Sequence, residues 1–194
     1  MTRALVLFAH PCHESFSHAL YQAACGALQA RGWEVDGLDL YGEGFAPALS
    51  AAERREYHDI GANTQPVAAY VERLRAAQAL VLVFPVWNFG YPAILKGFLD
   101  RVFLPGVSFA LRDGRVQGNL RQIRRLAAVT TYGGSRARAW LCGDPPRKSV
   151  TRHVRGLIHP AARLRYLALY DMNRADAAMR GRFLTRSAAA LARL

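Results

Sequence analysis

Three short stretches carry the residues best suited to chemistry, and each suits a different part of it. His10 to Ser17, HPCHESFS, offers the hydroxyls of Ser15 and Ser17. A helix starting there also presents unpaired N–H groups at its N-terminus, the usual physical solution for holding a phosphate. Pro85 to Gly90, PVWNFG, brings the aromatic faces of Trp87 and Phe89 next to a glycine. Thr131 to Ser135, TYGGS, contains Gly133 and Gly134, which let the backbone approach a flat ligand and point N–H groups at it. Each stretch alone has a plainer reading: serines cap helices, aromatics pack in loops, and Gly-Gly makes turns. His10, Cys12, His13 and His18 are irregularly spaced, with one thiol and no carboxylate at ligand spacing, so no metal site is expected.

The elements that must position these stretches follow from hydrophobic periodicity. Leu80 to Phe84 is an unbroken apolar run, short enough to be a strand buried on both faces. Pro85 is expected to stop its ladder, and a helix follows over Tyr91 to Phe103, with Pro92 in its first turn. Arg3 to Ala9 reads as a second buried strand, leading through the polar loop into a helix from about His18 to Arg31, with Ser15 and Ser17 at capping positions. Trp33 to Leu40 alternates and belongs near an edge. Tyr41 to Thr64 reads as surface connection containing a short helix, and Val67 to Ala77 as an amphipathic helix. Asp113-Gly114 marks a hairpin excursion. Arg125 to Thr131 and Leu164 to Tyr170 complete five strands, with helices near Ser149 to Ile158 and from Arg174 to Leu194, the latter capped by Asn173.

Strands alternating with helices imply a doubly wound α/β fold, a five-stranded parallel sheet in a three-layer α/β/α domain spanning residues 1–194, and 2-1-3-4-5 is the strand order expected of it. That order makes the ends of strands one, three and four neighbours at the switch point. The three stretches are those ends. Phosphate at one side and a planar ring at the other describe a flavin nucleotide.

Composition narrows the field. The net charge is +12, but residues 1–114 carry 9 basic and 11 acidic groups whereas residues 115–194 carry 17 and 3. The basic residues are dispersed and join no recognised motif, so a small anion such as a nucleotide phosphate explains them better than nucleic acid. No apolar run reaches the roughly 20 residues of a membrane span. Three cysteines without a C-x-x-C pair suit a reducing compartment, and a cytoplasmic protein is expected.

FPVWNFGYPAILKGFLDRVF, AHPCHESFS and TTYGGS together resemble the NAD(P)H:quinone oxidoreductases of the flavodoxin-like fold. That group includes bacterial modulator-of-drug-activity proteins and ancillary oxidoreductase subunits of potassium efflux systems. The likeness runs over nearly the whole chain, and PAILKGFLDRVF is its most specific part. It implies a homodimer with flavin at the strand ends, taking hydride from NADH or NADPH and passing it to a quinone in ping-pong order. On that resemblance His10, Ser15, Phe16 and Ser17 match the phosphate and ribityl loop, Pro85, Val86, Trp87, Asn88 and Phe89 the isoalloxazine loop, and Thr131, Tyr132, Gly133 and Gly134 the third loop. Tyr132 is an extra residue relative to the mammalian Thr-Thr-Gly-Gly form. The Tyr and His that assist hydride transfer there have no counterpart in SRARAWLCGDPPRKS, so the catalytic side chains stay unassigned. The chain lacks the long mammalian C-terminal extension, which favours FMN over FAD. A flavodoxin-like electron carrier is the alternative, disfavoured by the positive charge, and a transporter's regulatory oxidoreductase subunit is a third.

Overall fold

The computed structural model describes residues 1–194. Five parallel strands form the sheet: β1 (Arg3–Phe8), β2 (Glu34–Asp39), β3 (Ala79–Val86), β6 (Arg125–Tyr132) and β7 (Arg163–Leu169), in the order β2-β1-β3-β6-β7. With the hairpin β4 (Phe109–Arg112) and β5 (Arg115–Gly118) counted apart, this is the expected 2-1-3-4-5 arrangement, and β2 is an edge strand. The hairpin turns at Asp113 and Gly114, both with positive φ (51° and 71°), the conformation an Asp-Gly pair favours.

Alternation along the strands builds two cores. Leu5, Leu7, Leu80, Leu82 and Phe84 face one side, and Ala4, Val6, Phe8, Val81 and Val83 the other. The first side is covered by α3 (Ala68–Ala76), α4 (Ala93–Val102) and the helical run α6 (Pro145–Lys148), a π-helical turn Ser149–Val154 and α7 (Arg155–Leu157). The second is covered by α1 (Phe16–Gln29) packed beside α8 (Ala177–Leu191). The sheet is therefore buried on both faces. Two shorter helices, α2 (Ala51–Glu56) and α5 (Arg136–Leu141), complete the chain, and no helix is long and apolar enough to cross a membrane.

Four local expectations need correcting. Pro85 does not end β3: the ladder to β6 continues through Pro85–Thr131 and Val86–Tyr132. The reason is directional. The Val83 carbonyl accepts from Ala9 N–H on the β1 side, and Pro85, two residues on, faces the same side after β1 has ended, so its missing N–H removes no ladder bond. Ser17 is not a cap but lies buried in the first turn of α1; Ser15 is the cap. The last helix is capped by Asp176, whose Oδ1 accepts from Met179 N–H at 2.6 Å, and Asn173 stays in a 3-10 turn before it. Tyr41 to Thr64 is more than surface connection, because Phe45 joins the larger core.

Two helix glycines make opposite tests of this packing. A Cβ on Gly97, inside α4, would run into the Pro47 backbone, whereas one on Gly181, inside α8, meets nothing. Gly→Ala gains about 1 kcal/mol of helix propensity, and overpacking loses roughly 1–3 kcal/mol. Urea denaturation should show Gly181→Ala stabilised and Gly97→Ala destabilised.

Candidate functional site

The loops after β1, β3 and β6 converge at the carboxyl edge of the sheet. In the first, Ser15 Oγ accepts from His18 N–H at 3.1 Å and starts α1. The next two amides, of Phe16 and Ser17, have no partner within the protein. They are the free donors of a 14-residue helix whose positive dipole end lies there. Asp39, at the end of β2, accepts from His13 Nε2 at 2.7 Å, and the rings of His13 and His18 stack 4.8 Å apart, so the loop is tied to its neighbours. The Phe16 ring points away from the loop toward Phe183 of α8, 6.4 Å between centroids.

The second loop is a tight reversal. Trp87 N–H donates to the Gly90 carbonyl at 3.2 Å and Gly90 N–H to the Trp87 carbonyl at 2.8 Å, with Asn88 (φ 49°) and Phe89 (φ 56°) both left-handed between them. Asn tolerates that conformation; Phe does not. Such backbone persists where its surroundings over-determine it, and it clusters at ligand sites. Trp87 is 41% exposed and lies edge-on to His10, 5.6 Å between centroids, joining the first loop to the second.

The third loop leaves β6 at Tyr132, which is 1% exposed. Its hydroxyl donates to Asp144 Oδ1 at 2.6 Å, which makes Tyr166 the donor to Tyr132 across 2.7 Å. Burial, above all, pushes both phenols well up from their ordinary value, so they stay protonated and able to donate. The amides of Gly133 and Gly134 that follow have no partner within the protein. Ser135 caps α5.

Between the second and third loops lies a cleft of about 440 Å³ lined by Val86, Asn88, Phe89, Tyr132, Gly133, Gly134, Arg138 and Asn173. It thus gathers six of the residues singled out from the sequence. Trp87 does not line it and lies against His10 of the first loop; Pro85 and Thr131 belong to β3 and β6; His10, Ser15, Phe16 and Ser17 belong to the neighbouring loop. Asn173 is a cleft residue the candidate set lacked; Arg138, which with Arg136 follows the Gly-Gly turn, also lines the cleft, whereas Arg136 does not. Asn173 sits after β7, so the rule that pointed to the ends of the other strands applies to it as well. A polar hollow of about 260 Å³ adjoins the cleft, flanked by Arg138 and Arg174, neither of which has a carboxylate partner within 4.0 Å.

A doubly wound sheet with a cleft at its switch point is the arrangement in which open α/β sheets bind ligands. The chain belongs to the family described by the flavodoxin-like fold, which matches residues 2–180. It is 33% identical over 147 residues to rat NAD(P)H dehydrogenase [quinone] 1, covering 68% of this chain and 54% of that protein. It is 34% identical over 132 residues to an uncharacterised NAD(P)H oxidoreductase of Haemophilus influenzae, covering 68% and 64%. The chain thus spans about half the length of the rat relative. Among solved structures, NAD(P)H:quinone oxidoreductase from Methanothermobacter marburgensis superposes with a TM-score of 0.81 at 26% identity, over 98% of each chain.

The left-handed pair generates a stability prediction. Phe89→Gly should leave the protein at least as stable in urea, with a gain of up to about 1 kcal/mol as strain is released. Asn88→Val puts a β-branched residue at φ 49° and should lose about 1–3 kcal/mol.

Proposed function

We propose that the chain is a flavin-dependent NAD(P)H:quinone oxidoreductase. The observation that carries this is the set of unpartnered backbone donors on two loops of the switch point, Phe16 and Ser17 in one and Gly133 and Gly134 in the other, with an aromatic turn between the loops. The residues fit FMN, or FAD as the alternative. Phe16 and Ser17 N–H groups would hold its phosphate at the dipole end of α1. The Asn88-Phe89 turn would form one wall for the ring, and Gly133 and Gly134 the other, where a side chain would fill the space. A flavin held there would supply two-electron chemistry between NADH or NADPH and a quinone, one substrate after the other.

The protein's own part is positional and electrostatic. Amides of Gly133 and Gly134 aimed at the ring would stabilise negative charge gained on reduction, as an oxyanion hole does, without a titrating base. Arg138 and Arg174 offer guanidinium groups to the phosphates of a nicotinamide nucleotide. Trp140 and Leu141, each 78% exposed on α5 beside the cleft, support a homodimer that covers them. Three unpaired cysteines support a cytoplasmic setting. The names and identities of the relatives support the nicotinamide and quinone assignments.

The test is to extract the flavin from the purified protein, identify it by chromatography, and follow NAD(P)H oxidation with menadione. A protein that takes up neither FMN nor FAD ends this reading. Gly134→Leu sharpens the test, because Gly134 has ordinary φ and only Arg138 Cδ, at 3.9 Å, near its added Cβ. The variant should fold with an unchanged melting temperature and bind flavin more than about tenfold more weakly, over 1.4 kcal/mol.

A further inference from the structure

Tyr132 lines the cleft, and Tyr91, outside it, is joined in the chain to the turn that forms the opposite wall. Tyr132 immediately precedes Gly133-Gly134, and Tyr91 immediately follows the Trp87–Gly90 turn. Both phenols reach one three-residue segment. Tyr132 Oη donates to Asp144 Oδ1 at 2.6 Å, and Tyr91 Oη donates to the Pro146 carbonyl at 3.2 Å. Asp144-Pro145-Pro146 is thus bonded to one wall and to the residue that follows the other. We propose that Asp144 is a positioning residue for the cleft: acting through Tyr132, with Pro146 acting through Tyr91, it fixes the distance between the aromatic turn and the glycine turn at the width a flat ring needs.

Three observations mark this segment as a strut. Asp144 stands at the N-cap of α6 but makes no side-chain cap bond: the next two residues, Pro145 and Pro146, have no N–H to offer, and its Oδ1 accepts from Tyr132 instead. Its backbone is left-handed (φ 45°, ψ 57°) and leads directly into Pro145-Pro146, whose rings fix φ, so few alternative paths exist for the segment. The far side is braced as well. Tyr166 donates to Tyr132 at 2.7 Å, the Tyr170 ring lies on Tyr132 with centroids 4.6 Å apart, and the Arg147 guanidinium covers Tyr166 at 4.9 Å. With Tyr132 Oη donating to Asp144 it accepts from Tyr166, so the hydroxyls form one directed chain.

The proposal rests on the flavin reading for its ligand, but the strut itself is measurable without flavin. In the apo protein, ¹⁵N relaxation dispersion should be flat at Trp87–Gly90 and Gly133–Gly134 and should appear at both walls in Asp144→Ala and in Tyr132→Phe. Asp144→Asn, which keeps an acceptor for Tyr132, should stay near the parent. With FMN added, Asp144→Ala and Tyr132→Phe should each weaken binding about tenfold, as loss of preorganisation does, and the double variant should be no worse than either single one. Lower melting temperature with unchanged dispersion and unchanged FMN affinity would make Asp144 a packing residue only and overturn the proposal. So would additive effects in the double variant. Should Asp144→Ala fail to fold, Tyr132→Phe carries the loss of the bond and Asp144→Asn serves as the parent-like control. A parent that binds no flavin while its variants show wall dispersion would defeat the flavin reading and leave the strut standing.

Discussion

The structure depends on a parallel sheet buried on both faces that releases its chain, at one edge, with backbone N–H groups unpaired. The inner strands β1, β3 and β6 pair on both sides; beyond the ends of β1 and β6 the ladder stops before the next element has begun. A buried unpaired amide is costly, so such groups survive where water or a ligand can reach them. At Phe16 and Ser17 the donors belong to the start of a helix and at Gly133 and Gly134 to a turn without side chains. Both arrangements favour an anion or an electron-rich edge over any cation.

Rigidity around these donors comes from the cores. Phe8 and Phe84 are fully buried near the carboxyl ends of β1 and β3, and Tyr132 at the end of β6. They hold the strand ends in place, and that lets the Trp87–Gly90 turn keep two adjacent left-handed residues without glycine. The strain sits on the wall of the cleft, where preorganisation is of use, and the stiff sheet beneath offsets it. The polar bonds of Tyr91 and Tyr132 then link walls that come from different strands.

Much of the architecture was legible because short apolar runs such as Leu80 to Phe84 suit strands covered on both faces, and five strands separated by helical patterns call for right-handed crossovers and a doubly wound parallel sheet. Asp113-Gly114 announced its turn for the same local reason. Legibility failed where a choice depended on neighbours. Pro85 reads as a stop until the end of β1 is known. Asn173 and Asp176 are equally good caps by residue type, and only the 3-10 turn at Met172–Arg174 separates them. α5 went unseen because RARAWL buries only Ala139. In the site, the three loops were visible from their composition. The role of Asp144 was not, because its partner lies on a strand and is reached only through the tertiary fold.

The central claim is that four free amides receive a flavin nucleotide, and amide chemical shifts test it most directly. FMN titrated into the ¹⁵N-labelled apo protein should move the resonances of Phe16, Ser17, Gly133 and Gly134 most, downfield as hydrogen bonds form, with Trp87–Gly90 shifting in the same titration. Saturable binding that leaves those four amides unmoved while others shift, or the absence of any binding, would contradict the account.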